Sequence, residues 1–374
     1  MLMQPDRCVS DSRMRKLWSV NGVAIDVLSI DEAVANIDNA IATRKRLSFV
    51  TPNLDWLVEA SKDTAVRQLI NEADMSVADG MPIVKLAQMQ GAPLTQRVAG
   101  SDVFDRLRRR SLPKEKRVRV FFFGGRDGAA ERAHNQINSE NLGMEGVGFI
   151  NPGFGSVEEM SRPEIIEAIN EAKPDFVVVA LGAMKGQKWI SHNLQQLEVP
   201  VIAHLGAVVD FVAGTIRRAP EWMAGNGLEW AYRIYAEPSL WKRYWKDASS
   251  LPRFLNEALQ VRSANLAAQS GGYDACAFEV VEDGLKISWP RHFQLKQMNE
   301  IIQQSSELVA GQNLYLDMKD VDHVGGATLG HLLVLEAELA QQSTKLVFIN
   351  LNSELRSLLV VSRFENLNTV ALHN

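Results

Sequence analysis

The sequence predicts an α/β protein: an open parallel sheet flanked by helices, followed by a second, smaller α/β unit. Three observations lead there. Short apolar runs alternate with helix-period stretches through residues 1–250, the pattern of βαβ units. Those runs end in small or polar residues: TPN at 51–53, DG at 79–80, GG at 124–125, GA at 182–183 and GA at 206–207. A Gly-Gly break at 271–272 then sets off a tail with strand and helix patterns of its own.

In chain order, strands are expected at 47–50, 75–78, 118–123, 176–181 and 201–204. In open α/β sheets ligands sit outside the carboxyl ends of the strands, so these five ends are where a site is expected. Helical spacing resumes after the last strand and continues to Gln269. The first domain is placed at 18–255, a linker at 256–272 and the second domain at 273–374. The second unit holds an Asp-Gly hairpin turn at 283–284, strands at 313–318 and 345–350, and helices at 329–340 and 353–361. The Gly-rich break predicts that the tail can be removed without unfolding the first domain.

The chain has 374 residues, 46% hydrophobic and 23% charged, with a net charge of −5, which implies no general affinity for nucleic acid. Residues 256–374 hold 8 Lys and Arg against 14 Asp and Glu, so the tail carries the acidic excess. Cys8 and Cys276 have no metal or redox spacing, which points to a reducing cytoplasm. No run reaches the ~18–20 apolar residues of a spanning helix, and the N-terminus lacks the apolar core of a signal peptide. Membrane contact is therefore expected to be peripheral.

The segment 214–245 invites such contact. It holds four of the eight Trp (Trp222, Trp230, Trp241, Trp245) and three of the five Tyr (Tyr232, Tyr235, Tyr244). Arg217, Arg218, Arg233, Lys242 and Arg243 are interleaved with them. Polar-tipped rings settle at a membrane–water boundary, and cations beside them attract phosphates. On composition alone, a pair of core helices with ordinary salt bridges fits equally well.

At the strand ends, Asp79 can act as a general base on a substrate hydroxyl, or simply form an Asp-Gly turn. Thr51 and Asn53 can bond a sugar or phosphate; Asn53 can equally cap the next helix. Gly124 and Gly125 open a strand–turn–helix junction able to receive phosphate, though not as a GxGxxG fingerprint. Arg97 can pair bidentately with a diphosphate or form a surface ion pair. Asp210 can bind hydroxyls or cap a turn. There is no P-loop, no GxSxG elbow and no His or carboxylate spacing that indicates a metal, and no cofactor is expected.

The order of these signals is more specific than any one of them. TPNLDWLVEA (51–60), ADGMPIVKLAQMQGAPLTQRVAGSDVF (78–104), FFFGG (121–125), PDFVVVALGAMKGQKWI (174–190), LGAVVDFVAGTIRRAPEWM (205–223) and GLEWAYRIYAEPSLWKRYW (227–245) resemble, in sequence, the WecG/TagA/CpsF family, glycosyltransferase family 26. The resemblance implies a Rossmann-like domain that moves N-acetylmannosamine or a related hexose from a UDP-sugar to a polyprenyl-diphosphate-linked saccharide. The transfer would invert the anomeric centre, need no metal and serve bacterial cell-surface or exopolysaccharide synthesis at the inner face of the cytoplasmic membrane. It implies Asp79 as base. It places Thr51, Asn53, Arg97, Gly124, Gly125, Gln187 and Asp210 on substrate, and Arg217, Arg218, Arg233, Trp241, Arg243 and Trp245 on lipid diphosphate or membrane. One departure stands out: the family's GxPKQE reads GAMKGQ at 182–187, so its Gln falls on Gly186 and its Glu on Gln187. That departure keeps a second reading in play, a catalytically degenerate nucleotide-sugar-binding module that signals through its tail.

The tail resembles a STAS domain in its strand–loop–helix–strand–helix order. Where that family has a phosphorylatable DSSG loop, this chain has Gly325-Gly326-Ala327-Thr328. A protein-docking role is expected of it rather than a phosphoswitch.

Overall fold

The structure, a computed structural model, describes residues 15–126, 128–216, 223, 229–236, 238–267, 274–291 and 293–367. It opens with a hairpin, β1 (Leu17–Val20) and β2 (Val23–Asp26), turned by Asn21 and Gly22, both at positive φ. Helix α1 (Ile30–Thr43) begins at a capping box between Ser29 and Glu32. Then come β3 (Leu47–Val50), α2 (Leu54–Ala60), α3 (Thr64–Asn71), β4 (Met75–Ser76), α4 (Met81–Met89) and α5 (Gly100–Arg108). The next stretch is β5 (Val118–Gly124), α6 (Ala129–Glu140), β6 (Met144–Ile150), α7 (Pro163–Glu171), β7 (Phe176–Ala180), α8 (Ala183–Asn193), β8 (Val201–His204) and α9 (Gly206–Val212).

Six of these strands form one all-parallel sheet in the order β4-β3-β8-β7-β5-β6. This is the Rossmann-like arrangement, and its strands, apart from the edge strand β6, are buried on both faces. On one face Phe49, Phe104, Phe122 and Phe176 pack ring against ring. On the other, Phe123 stacks on Trp189 with centroids 4.2 Å apart.

After the sheet come α10 (Glu229–Ala236) and a 27-residue helix, α11 (Trp241–Ala267), which runs through part of the stretch read as a linker. The Gly-Gly break at 271–272 lies outside the described residues. The tail contributes β9 (Ala277–Val281), β10 (Gly284–Ser288), α12 (Met298–Ser305), β11 (Asn313–Asp317), α13 (Gly326–Gln341), β12 (Lys345–Ile349) and α14 (Ser353–Val361). Its sheet has the order β12-β11-β10-β9, parallel except for the β9–β10 hairpin.

The two domains share their packing, contrary to the expectation of a separable tail. The β1–β2 hairpin lies on α13, where the Trp18 ring fills the notch left by Gly326 and the Trp18 backbone crosses Gly330; a Cβ would come within 2.5 Å of the ring at Gly326 and 2.9 Å of the backbone nitrogen at Gly330. Leu17, Ala24 and Val261 belong to the core of the tail, beside Leu329, Leu332 and Phe348. Polar contacts reinforce the joint. Arg67 pairs with Glu365 at 2.8 Å, Arg363 with Glu257 at 2.6 Å, and Asn21 Nδ2 donates to Glu257 at 2.8 Å. Deleting the tail would uncover this surface.

Candidate active site

Three backbone hydrogen bonds assemble one half of the strand-tip edge. Val77 N donates to Val50 O (3.0 Å), Asp79 N to Pro52 O (2.9 Å) and Val98 N to Ala78 O (2.9 Å). They lay the Thr51–Asn53 exit of β3, the Asp79–Gly80 exit of β4 and the Arg97–Ala99 approach to α5 side by side. Gly80, at φ 130°, caps α4 and lets the chain reverse directly after Asp79. Gly100 opens α5 where a Cβ would lie 3.0 Å from the Thr51 methyl and clash with Leu205, so there is no room for a side chain. Asp79 is half-buried there.

The other half is the glycine edge of β5, β7 and β8. Gly124 and Gly125 sit at φ 91° and 97°, and Gly125 N donates to Ala180 O at 2.7 Å. A Cβ on Gly124 would lie 2.6 Å from Ala180 O, so only glycine allows these tips to meet. Leu205 N donates to Val179 O (3.0 Å), aligning the β8 exit with β7.

Several proposed substrate residues also hold the scaffold. The Asn53 side chain accepts from Trp56 N and caps α2. Arg97 pairs with Asp102 at 2.9 Å. Asp210, on α9, accepts from the Thr215 hydroxyl at 3.0 Å. Gln187 lies elsewhere. It is 4% exposed and lines a cavity of about 200 Å³ with Arg46, Ser48 and Asp74, near the amino end of β3 and away from Thr51. Its carbonyl oxygen is buried without a hydrogen bond.

Several of the described rings of the aromatic segment are exposed. Trp241 and Trp245, one turn apart on α11, are 53% and 73% exposed, and Tyr235 is 85% exposed. Arg243 lies 5.0 Å over the Tyr244 ring, which tilts against the half-exposed Trp230. Arg233 lies 5.9 Å over Phe211, next to Asp210 in sequence. Lys246 anchors α11 to α2, the helix capped by Asn53, through Asp55 (3.1 Å) and Glu59 (2.7 Å). The hydrogen bond to Glu59 raises the Lys246 pKa, while burial, with Asp55 nearby, lifts Asp247 to about 6. The aromatic helix is thereby tied to the strand tip that carries Thr51 and Asn53. Arg217, Arg218 and Trp222 lie outside the described residues.

The family model described as "Glycosyl transferase WecG/TagA/CpsF family" matches residues 18–265, from β1 to near the end of α11. The chain belongs to that family. It is a glycosyltransferase, and a STAS domain match over 292–373 accounts for the tail. Similar curated proteins carry the name N-acetylglucosaminyldiphosphoundecaprenol N-acetyl-beta-D-mannosaminyltransferase. One from Bacillus spizizenii is 28% identical over 62% of this chain and 86% of its own length. One from Bacillus subtilis is 30% identical over 53% of this chain and 73% of its own. One from Staphylococcus aureus is 26% identical over 63% and 92%. Among the described residues, no helix is long and apolar enough to cross a membrane.

Sequence reasoning passed over His204, the last residue of β8, which sits at the centre of this edge between β3 and β7. The available signal was a histidine ending an apolar strand directly before Leu-Gly.

Proposed function

We propose that this protein transfers N-acetylmannosamine or a closely related hexose from a UDP-sugar to a polyprenyl-diphosphate-linked saccharide. The transfer proceeds with inversion and without a metal, peripherally at the cytoplasmic membrane surface, in bacterial cell-surface or exopolysaccharide synthesis. The names of the relatives, all acting on an undecaprenyl-diphosphate-linked GlcNAc, support the acceptor class and the sugar. The observation that carries the reading is the convergence of Asp79, Thr51, Asn53 and Arg97 at the carboxyl edge, held by three backbone hydrogen bonds.

In this reading Asp79 removes the proton of the acceptor hydroxyl as its oxygen attacks C1 of the donor sugar. The C1–O bond to the diphosphate breaks, and UDP departs with the electron pair. The Arg97 guanidinium, with its N–H donors, stabilises the developing charge on the diphosphate. The carbonyl of Asn53 is taken by the α2 cap, which leaves its amide nitrogen for substrate. Gly124 and Gly125 let a phosphate approach the backbone, and Asp210 receives ribose or sugar hydroxyls. Arg217, Arg218, Arg233 and Arg243 meet the lipid diphosphate, and Trp241 and Trp245 enter the headgroup layer. The domain division at 256–272 and a protein partner for the STAS domain belong to the same proposal.

The test is turnover of the purified chain with a panel of UDP-hexoses and polyprenyl-diphosphate-linked GlcNAc. Formation of a disaccharide lipid with the inverted linkage supports the reading. UDP-sugar binding without turnover from any donor would replace it with the binding-module reading.

A further inference from the structure

His204 and Gly186 are locked together. A Cβ built on Gly186 would fall within the imidazole of His204, so residue 186 can only be glycine while that ring is in place. Glycines at 186 and 206 flank the ring. The ring atoms nearest to them are Cδ2, Cγ, Nε2 and Cε1, which leaves Nδ1 as the atom turned away from both. Nε2 is buried with no hydrogen-bond partner, whereas the residue as a whole is half-buried. Buried polar groups in folded proteins are nearly always satisfied, so Nε2 calls for a partner. The ring differs from Asn53, Arg97 and Asp210, whose side chains bond to the scaffold. His204 lies opposite Val179 of β7, with the Thr51 edge on its other side and the backbone turn of Gly182 opening α8 nearby.

We propose that His204 is the donor-specificity residue of this chain: its imidazole hydrogen-bonds a polar ring substituent of the donor hexose, in the space a side chain at 186 would otherwise fill. The proposal rests on the glycosyltransferase reading above. Burial pulls the His204 pKa down to about 4, so the ring is neutral at physiological pH and can both donate and accept. A neutral imidazole suits uncharged hydroxyl and amide groups on a sugar better than it suits phosphate. The exchange also accounts for the departure at 182–187: the polar group enters from β8 instead of from α8.

The experiment compares the full chain with His204→Ala and His204→Gln. Each is assayed with UDP-hexoses that differ in the C2 substituent and in C2 or C4 configuration, recording kcat, KM and donor Kd. His204→Ala is expected to raise donor KM and Kd by about tenfold or more and to narrow the ranking among donors, leaving acceptor KM within about twofold. His204→Gln keeps a neutral hydrogen-bonding group and is expected to retain most donor affinity. Its rate profile between pH 6 and 9 should match wild type, because the ring it replaces carries no charge there. Gly186→Gln alone should lower the melting temperature, and Gly186→Gln with His204→Gly should restore both stability and donor selection. A folded His204→Ala with wild-type donor Kd, KM and ranking would overturn the proposal. A wild type that binds donors without turnover would strike the transferase reading instead, and the same variants compared by Kd would still decide His204.

Discussion

In the six-stranded sheet, glycines at 124, 125, 182 and 206 leave a strand edge against which backbone can approach a ligand, and half-buried polar side chains stand beside it. In the four-stranded sheet the matching junction is closed. Gly326, at the start of α13, is filled by the Trp18 ring from the other domain, Gly330 packs against the Trp18 backbone, and the Gly326 N–H donates to Asn265 of α11 (3.3 Å). The same glycine device serves access in one domain and attachment in the other. What decides between them is whether a bulky side chain of the same chain already occupies the notch. The STAS helix terminus is thus spent on an internal joint.

Breaking the joint should have the largest effect. Removing residues 273–374 uncovers Leu17, Trp18, Ala24 and Val261 and is expected to yield aggregated protein, seen by gel filtration; a monomeric, folded truncation would make the joint dispensable. On the open edge, Asp79→Asn is expected to lower kcat by about 10³-fold, with melting temperature and donor Kd unchanged. Normal turnover would remove Asp79 as base. Trp18→Ala leaves a cavity against Gly326 and is expected to cost about 3–5 kcal/mol in denaturant unfolding, without altering donor KM in the folded fraction.

The joint should also respond to pH through Glu336 on α13. Burial raises its carboxyl pKa to about 7, with Arg67 opposing and Glu365 adding to the shift. The folded state therefore holds this proton more tightly than the unfolded chain. Its contribution to stability is present below about pH 4.5 and is lost as pH rises through about 7. Glu336→Gln should flatten that decline in melting temperature; an unchanged pH dependence would show that Glu336 does not titrate in this window. The smallest effect is expected at the surface. Trp241→Ala with Trp245→Ala should weaken binding to anionic phospholipid vesicles by about tenfold while leaving turnover of a short-chain, water-soluble acceptor analogue unchanged.

Much of the fold was legible because strand and helix periodicity is local. The strands expected at 47–50 and 201–204 and the helix at 353–361 fall where the structure has them. β6 escaped notice because Gly146 and Gly148 dilute its apolar run; the β1–β2 hairpin was also missed, although Asn21-Gly22 marks its turn. At the site, motif order brought Thr51, Asp79, Arg97 and Gly124 to notice. It could not show that Asn53 caps α2, that Gln187 lines a different cavity, or that His204 occupies the space beside Gly186. Each of those facts is a contact between residues distant in sequence, or a side-chain direction on a helix.

By itself the sequence determined the α/β class, the family, the strand ends proposed to bear chemistry and the uneven charge of the two domains. These follow from local propensity, short motifs and composition. Only the tertiary structure decided that the aromatic segment faces outward, that the tail is fastened through Trp18 and Glu257, and that a histidine replaces the side chain missing at 186. Those outcomes depend on which surfaces pack against which, and close packing leaves a notch either filled by the chain itself or free for a ligand.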